Sequence, residues 1–564
     1  MKTALRLLIV WLTGCPFLQQ TYAQVVPDAG ALRQQIERER VLPAPARPLL
    51  DSTSVPTLPA PLSDLRLTVK GIRFSGNTLI DSEKLEAIVA PYLNQPQTFA
   101  QLQEIAALVA QVYRDAGWVV RAYIPRQDVT EGIVTIQIAE ALFGKVQLEV
   151  PVATRLRVTS LIDYFEVQQK TGKPLNARAF DRATLLADDL PGISVMGVMR
   201  EGSQEQETDL LVSVKDKPLL EGDVSFDNAG ARPTGKERLN LNASLAGLFT
   251  LADQLNINVT HTIGSDYLRA SGTLPVGADG WRLGMNASNM RYKLITQEFA
   301  ALDAQGASSA VGLEASYPIV RTRQKNLYFS AGADLKRFDN QSNGTTTTRY
   351  QSRTLTLGVT AHALDDGSVD KVSMASLIWL NGLLDLNGSP NQAADALTTQ
   401  TEGRFNKFRY TLSRRQMISS NWSFQGMLAG QWANKNLDSS EKFYLGGASG
   451  VRAYPTSEGG GALGTLVNLE LRRRIDEAFT FSTFYDWGQI TINLKNDFPG
   501  SHQLNGYMLR GAGVSLTQHI PGSGSFKATW ARRIGVNPNP TLNGSDQDGS
   551  LVVNTFWLTA NFQF

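Results

Sequence analysis

From about residue 218 onward the chain alternates apolar and polar side chains with a period of two. Leu239, Leu241, Ala243 and Leu245 interleave with Asn240, Asn242 and Ser244; Leu255, Ile257 and Val259 interleave with Asn256, Asn258 and Thr260. The same rhythm runs through Trp281, Leu283, Met285 and Ala287, through Leu355 to Ala363, through Trp422 to Trp432, and through Val467, Leu469 and Leu471. Alternation of this kind sends successive side chains to opposite faces of a strand. It predicts about 16 strands of about 10 residues, the length at which a tilted strand crosses a bilayer. The connections sort by length. Those at 251–253, 275–280, 365–367, 419–421, 475–478 and 521–522 are short, and most of those between them (293–307, 339–347, 381–403, 433–463, 491–503, 535–550) are long and polar. Short turns at one end and long loops at the other characterise bacterial transmembrane barrels, and a water-soluble β-protein has no reason to sort its loops. The last strand carries Phe556, Leu558, Ala560, Phe562 and Phe564 on one face and Trp557, Thr559, Asn561 and Gln563 on the other.

The first part of the chain has a different texture. Residues 66–141 predict a β-α-α-β-β unit. A strand runs from Leu67 to Phe74, and a helix after Asp81 carries Leu85, Ile88 and Val89. A second helix opens on a Thr98/Gln101 capping box, keeps Leu102, Ile105, Ala106, Val109, Val112 and Tyr113 on one face, and stops at Gly117. Strands follow from Trp118 to Ile124 and from Ile133 to Glu140. Residues 142–217 repeat that plan, with helices near 153–168 and 177–190, so two units of about 75 residues form an internal repeat. Ahead of them, residues 24–65 hold a polar helix (29–40, with Leu32 and Ile36 four apart) and a linker with Pro43, Pro45, Pro48, Pro56, Pro59 and Pro61.

Composition narrows little until the N-terminus is considered. A chain of 564 residues with 42% hydrophobic and 19% charged residues fits either a soluble multidomain protein or a barrel with a polar interior. The net charge of +2 gives no footing for nucleic acid. Lys2 and Arg6, the apolar run Leu5–Leu12 and Thr21-Tyr22-Ala23 read as a secretory signal peptide, residues 1–23. A competing lipoprotein reading rests on Leu12-Thr13-Gly14-Cys15. Cleavage after Ala23 removes Cys15, the sole cysteine, and with it any disulfide or thiolate metal site. No later apolar run approaches the roughly 18 residues of a membrane helix, so an exported chain that spans a membrane does so as a barrel.

The long loop at 433–463 is glycine-rich and presents one arginine among small and apolar residues: Tyr444-Leu445-Gly446-Gly447, Gly450-Val451-Arg452-Ala453-Tyr454-Pro455, Gly459-Gly460-Gly461. A guanidinium inside a barrel needs a carboxylate. In the strand 479–490, Phe479, Phe481, Tyr485 and Trp487 would face lipid, leaving Ser482, Phe484, Asp486 and Gly488 in the lumen. The expectation is a loop folded back into the barrel with Arg452 paired to Asp486. The alternative is an exposed loop arginine and an unrelated lumen aspartate.

With these residues in order the chain resembles the two-partner secretion transporters of the outer membrane, the TpsB type of the ShlB/FhaC/HecB kind. Val451-Arg452-Ala453-Tyr454 resembles their VRGY-type loop motif, with Ala453 in place of glycine, and Phe484, Asp486 and Gly488 resemble their lumen-strand motif. The resemblance covers nearly all of the mature chain. It implies an N-terminal plug helix, two polypeptide-transport-associated (POTRA) domains at 66–141 and 142–217, and a 16-stranded barrel at 218–564 in the outer membrane of a Gram-negative bacterium. The POTRA units would lie in the periplasm and capture an unfolded secreted partner, an adhesin, haemolysin or toxin-like protein, for export through the barrel. The implied protein works as a monomer in outer-membrane lipid, without nucleic acid, cofactor or metal. Leu102, Ile105, Val109, Val112 and Tyr113 are candidate partner contacts, with a core role as their alternative. A barrel-assembly insertase of the same superfamily is the alternative function. No catalytic residue is expected: His261, His362, His502 and His519 lie at no ligand or nucleophile-base spacing, Gly459–Gly461 lacks the Lys-Ser/Thr of a phosphate loop, and Asp188-Asp189 and Asp365-Asp366 read as helix-end and turn residues.

Overall fold

Sixteen of the period-two segments hydrogen-bond side to side and close into a barrel. The structure is a computed structural model and describes residues 26–38, 66–149, 158–204, 206–248, 252–365, 368, 371–501 and 504–564. The signal segment with Cys15 and the Pro-rich linker lie outside the described residues, as does His502. The first described element is helix α1, Ala29–Arg38.

The unit that follows contains β1 (Arg66–Thr68), β2 (Gly71–Ser75), α2 (Ser82–Val89), β3 (Pro96–Thr98), α3 (Phe99–Asp115), β4 (Val120–Tyr123) and β5 (Ile133–Glu140). Its sheet has the order β2-β5-β4, with β2 parallel and β4 antiparallel to β5. The strand expected from Leu67 to Phe74 is broken: β1 pairs with β3 while β2 pairs with β5. Between them Val69 turns fully into the core and the Lys70 amide donates to Gly132 O at 2.8 Å. At the start of α3, the Gln101 amide donates to Thr98 Oγ1 (3.3 Å) and the Thr98 amide to Gln101 Oε1 (2.8 Å), which satisfies amides that the helix itself leaves open. Gly117 ends the helix at φ +95°, where a side chain would strain the backbone.

The next unit repeats the topology. It contains β6 (Leu142–Leu148), α4 (Val158–Gln168), α5 (Ala177–Asp188), β7 (Ile193–Glu201) and β8 (Glu207–Asp216), with order β6-β8-β7 and again one parallel and one antiparallel pairing. Phe165, Phe180, Leu186 and Val212 lie in its core.

The barrel begins with β9 (Leu220–Asp227), β10 (Arg238–Ala246), β11 (Gln254–Thr262), β12 (Ser265–Val276) and β13 (Trp281–Lys293). It continues with β14 (Gln305–Arg321), β15 (Lys325–Ser342), β16 (Thr345–Leu364), β17 (Val372–Asp385), β18 (Gly403–Met417) and β19 (Trp422–Ala433). A hairpin of two short strands, β20 (Phe443–Tyr444) and β21 (Gly460–Gly461), belongs to the next loop and not to the wall. The wall resumes with β22 (Leu463–Arg474), β23 (Phe479–Thr491), β24 (Gly506–Ile520), β25 (Gly524–Arg533) and β26 (Asn554–Gln563). Closure pairs β26 with β9 from Thr559↔Asp227 to Gln563↔Asp223, and Phe564 exchanges backbone bonds with Gly222. Along β23, Phe481 and Tyr485 are exposed on the outer face while Ser482, Phe484 and Asp486 are buried within. The outer faces of β26 and β16 are likewise apolar, with Phe556, Leu558, Leu355 and Leu357 exposed.

Two expectations change in the barrel. The strands are not uniform: β14, β15 and β16 reach 17, 18 and 20 residues. The long loop expected at 339–347 is a tight turn at Asn343-Gly344, both residues at positive φ (48° and 74°). The polar run there reads as a loop because alternation of hydrophobicity fades beyond the lipid. The backbone ladder needs no apolar face to continue.

Candidate functional site

The segment between β19 and β22 folds back into the lumen. Glycine makes the fold possible where a side chain would collide. A Cβ on Gly450 would stand 1.9 Å from Leu445 O, and one on Gly488 of the wall would stand 2.7 Å from Leu445 Cδ2. The loop therefore lies directly against β23.

At its tip the structure brings Arg452 and Asp486 together. Arg452 donates to Asp486 through its backbone amide (3.0 Å), Nε (2.9 Å) and Nη2 (2.8 Å). Its Nη1 reaches Glu470 Oε2 of β22 at 2.8 Å. The guanidinium carbon lies 3.4 Å from the centre of the Phe484 ring. Asp486 is fully buried and Arg452 only 7% exposed, so the charges are held away from bulk water and depend on each other. Asn468 Nδ2 joins Asp486 Oδ1 (2.7 Å) to Gly450 O (2.9 Å), and Arg472 Nε balances Glu470 at 2.7 Å. Two arginines thus face two carboxylates.

The neighbours of Arg452 fill the remaining space. Val451 packs with Leu445, Leu466, Phe484 and Leu509 in one apolar cluster. Ala453 lies opposite Gly511 of β24, where an added Cβ would approach the Ala453 Cβ to 2.5 Å. The alanine side chain at 453 is accommodated because the wall presents a glycine opposite it. Tyr454 is buried beneath the Arg533 guanidinium, 4.5 Å from its ring centre. Trp557 Nε1 donates to Arg452 O at 2.8 Å. Glu470, Asn468, Gly511, Arg533 and Trp557 carry no motif signal of their own. Only their inward register, readable once the strands are set, marks them as candidates.

A second ionic clamp holds the start of the loop. Glu441 receives Lys407 Nζ at 2.5 Å and Lys336 Nζ at 2.9 Å, with Lys407 fully buried. Helix α1 lies beside it. Asp28 caps the helix at the Ala31 amide (2.8 Å) and accepts from Ser439 Oγ at 2.8 and 2.7 Å. Gln35 Nε2 donates to Ser457 Oγ (2.7 Å), and Arg38 Nη1 donates to Tyr444 O. Towards the wall, Arg33 Nη2 meets Ser288 Oγ at 2.7 Å and the Ala29 amide meets Asn340 Oδ1 at 2.9 Å. Ala29 and Leu32 complete an apolar cluster with Tyr267, Met290, Phe338 and Phe405. Gly30 is required for this approach, since a Cβ there would stand 2.7 Å from Ser439 Oγ. Helix and loop form one packed body inside the barrel.

The candidate partner contacts on α3 fall elsewhere. Leu102, Ile105, Val109 and Tyr113 are buried against the sheet of the first unit, and Val112 is partly buried in the same core. Their burial supports the core role given as the alternative, although Ile105 also borders a groove on the surface of the unit. That groove, of about 590 Å³, runs beside α3 and is lined by Tyr92, Gln95, Gln97, Gln101, Leu108 and Gln111 besides Ile105. Among the described residues no group of His, Cys, Asp and Glu could hold a metal ion, and His261 pairs with Asp266 at 2.6 Å on the outer wall.

Comparison with known proteins agrees with this architecture. Residues 206–517 match the family described as Haemolysin secretion/activation protein ShlB/FhaC/HecB, and residues 67–141 match the ShlB-type POTRA domain. The heme/hemopexin transporter protein HuxB of Haemophilus influenzae is 24% identical over 94% of both chains. The outer membrane transporter CdiB of Dickeya dadantii is 25% identical over 69% of both. CdiB from Escherichia coli superposes with a TM-score of 0.71 over 96% of this chain and all of that one, at 18% identity. BamA from Haemophilus ducreyi lacking POTRA domains 1–3 shares the fold at a TM-score of 0.53, 15% identity, 88% of this chain and 100% of that one. The chain belongs to the ShlB/FhaC/HecB family of haemolysin secretion/activation proteins, and is an outer-membrane two-partner secretion transporter that exports a secreted partner protein.

Proposed function

We propose that this structure is the resting, closed transporter, and that export requires the packed body of α1 and the inward loop to come apart. The observation that carries the reading is the set of bonds from α1 to the loop through Asp28, Gln35 and Arg38. An element held mainly by side-chain hydrogen bonds in a polar lumen, with only Ala29, Leu32 and Ile36 on apolar surface, leaves at modest cost, because water replaces the polar partners. The loop is held by the buried Arg452–Asp486–Glu470 group, which resists separation. The helix is the movable part and the loop tip the fixed one.

The partner arrives unfolded and extended. The groove beside α3, with its glutamine side chains and Leu108, suits a backbone with alternating side chains, and the open edges of the first unit's sheet offer strand addition. Movement proceeds without bond chemistry, driven by folding outside. The transporter works as a monomer, its apolar outer band in lipid. The end-to-end relatives named for heme and hemopexin make a haem-acquiring secreted protein the first partner to test.

The experiment is co-expression with that partner, scoring extracellular product by immunoblot. Arg452→Ala should lower export at least tenfold, while the barrel stays in the outer membrane and keeps its heat-dependent shift in gel mobility. Normal export by that variant would remove the loop clamp from the mechanism.

A further inference from the structure

The outer wall carries a patch of arginines that neither export nor the plug uses. Register places it. One row across the wall reads Arg291↔Ala307↔Asp339↔Arg349 from β13 to β16. The next reads Asn289↔Ser309↔Arg337↔Gln351↔Asp385, and the third Ala287↔Val311↔Leu335↔Arg353↔Leu383↔Arg404, ending on β18. Below them the rows lose all charge: Met285↔Leu313↔Ala333↔Leu355 and Leu283↔Ala315↔Ala331↔Leu357. Arg291, Arg337, Arg349, Arg353 and Arg404 are exposed on the outer face. The acids among them are Asp339, bonded to Arg349 Nε at 2.7 Å, and Asp385, which accepts from Gln351 at 2.9 Å. Arg291, Arg337, Arg353 and Arg404 form no ion pair among the described residues.

The height of the patch decides its surroundings. Arg291 lies 10 positions from Trp281 and Arg349 15 positions from Leu364, the periplasmic ends of their strands. A tilted strand crosses the hydrocarbon in about 9–11 residues. The arginines therefore emerge at the headgroups of the outer leaflet, with Arg353 and Arg404 level with Val311 and Leu335 and all of them above Leu313 and Leu355. A groove of about 440 Å³ opens between Ser309, Arg337, Asp339, Arg349 and Gln351.

We propose that this patch is a binding site for the phosphorylated lipid A headgroup of lipopolysaccharide. Guanidinium forks match phosphate oxygens in a bidentate way. A glycolipid seated here would place its phosphates among Arg291, Arg337, Arg349 and Arg353, with its acyl chains on the leucines below. The passage from charged rows through a mixed row to apolar rows fits a ligand that is anionic at the top and hydrocarbon underneath. The inference rests on the outer-membrane placement but not on the export mechanism.

The test uses the full-length protein in mild detergent and native mass spectrometry. The probes are bis-phosphorylated lipid A, the same lipid with both phosphates removed, and phosphatidylglycerol. The wild type should bind one bis-phosphorylated molecule at least tenfold more tightly than either other probe. The variant R337Q/R349Q/R353Q should lose that preference, while R510Q/R532Q, which removes exposed outer arginines from β24 and β25, keeps it. The gel-mobility shift shows for each variant that the barrel is folded, and single substitutions serve if the triple variant does not fold. Equal binding of all three probes, or equal loss in the two variants, would overturn the site; export by R337Q/R349Q/R353Q reports on the transporter reading separately.

Discussion

At Arg452 the surrounding residues explain both what is legible in the sequence and what is not. A lone arginine in a glycine-rich loop and an aspartate on the inward face of an aromatic strand can be put forward as a pair on chemical grounds, but the choice of the pair over an exposed loop arginine rests on the resemblance of both motifs to those of the family. Glu470 and Asn468 cannot be singled out that way. They sit on an inward face like many other polar side chains, and only the loop's path makes them neighbours. The sequence also leaves the alanine at 453 unexplained until Gly511 is found opposite. Two substitutions separate these roles. Ala453→Gly should leave export within about twofold of wild type, since Ala453 is not at positive φ and glycine only removes a methyl. Gly511→Leu should cut export at least tenfold, because its first side-chain atom already falls 2.5 Å from Ala453 Cβ. Extracellular partner measured beside the heat-dependent gel shift checks both. A defective A453G with a normal G511L would show that the backbone at 453, and not the fit against the wall, matters.

Among the elements, α1 is the one whose sequence most misleads on its own. Its polarity fits a solvent-exposed helix, yet Arg33, Gln34 and Gln35 are buried. A barrel lumen is a polar interior, so burial there does not require an apolar surface. Only Ala29, Leu32 and Ile36 face an apolar cluster, which matches the weak four-residue spacing in the sequence. The α3 face shows the reverse: helical periodicity marks its core well, but of the neighbouring groove it marks Ile105 alone, because grooves depend on what lies across from a helix. For α1 the consequence is direct. Gly30→Leu cannot keep its distance from Ser439 and Ser440, so the helix should be displaced from the lumen. Single-channel recording in planar bilayers should show the variant conducting for most of the time where wild type is mostly closed. An unchanged open fraction would mean that the helix tolerates the side chain by shifting within the lumen and does not set the closed state.

On the scale of the whole molecule, the second α/β unit is bolted to one sector of the wall. Asp189 takes both arms of the Arg321 guanidinium at 2.7 Å, Asp181 meets Arg323 at 3.1 Å, and Arg182 donates to Pro318 O at 2.9 Å. Gln168 reaches Asp279 at 2.9 Å in the turn before β13. Asp189, read in the sequence as a helix-end residue, is therefore an interdomain ligand, a role that local sequence cannot disclose. Arg321 is nearly buried and Asp189 a third exposed; a bidentate pair of this kind contributes about 2 kcal/mol. Under the proposed export route these contacts set the position of the unit relative to the pore mouth, so their loss should affect transfer without affecting capture. Asp189→Arg should lower export about five- to tenfold and raise hydrogen exchange in the turn at 321–325, while partner binding to the detergent-solubilised protein stays unchanged. Adding Arg321→Asp restores the pair with its charges reversed, and should recover at least half of the export. If the double variant exports no better than the single one, the defect lies in the fold of the unit and not in its docking to the barrel.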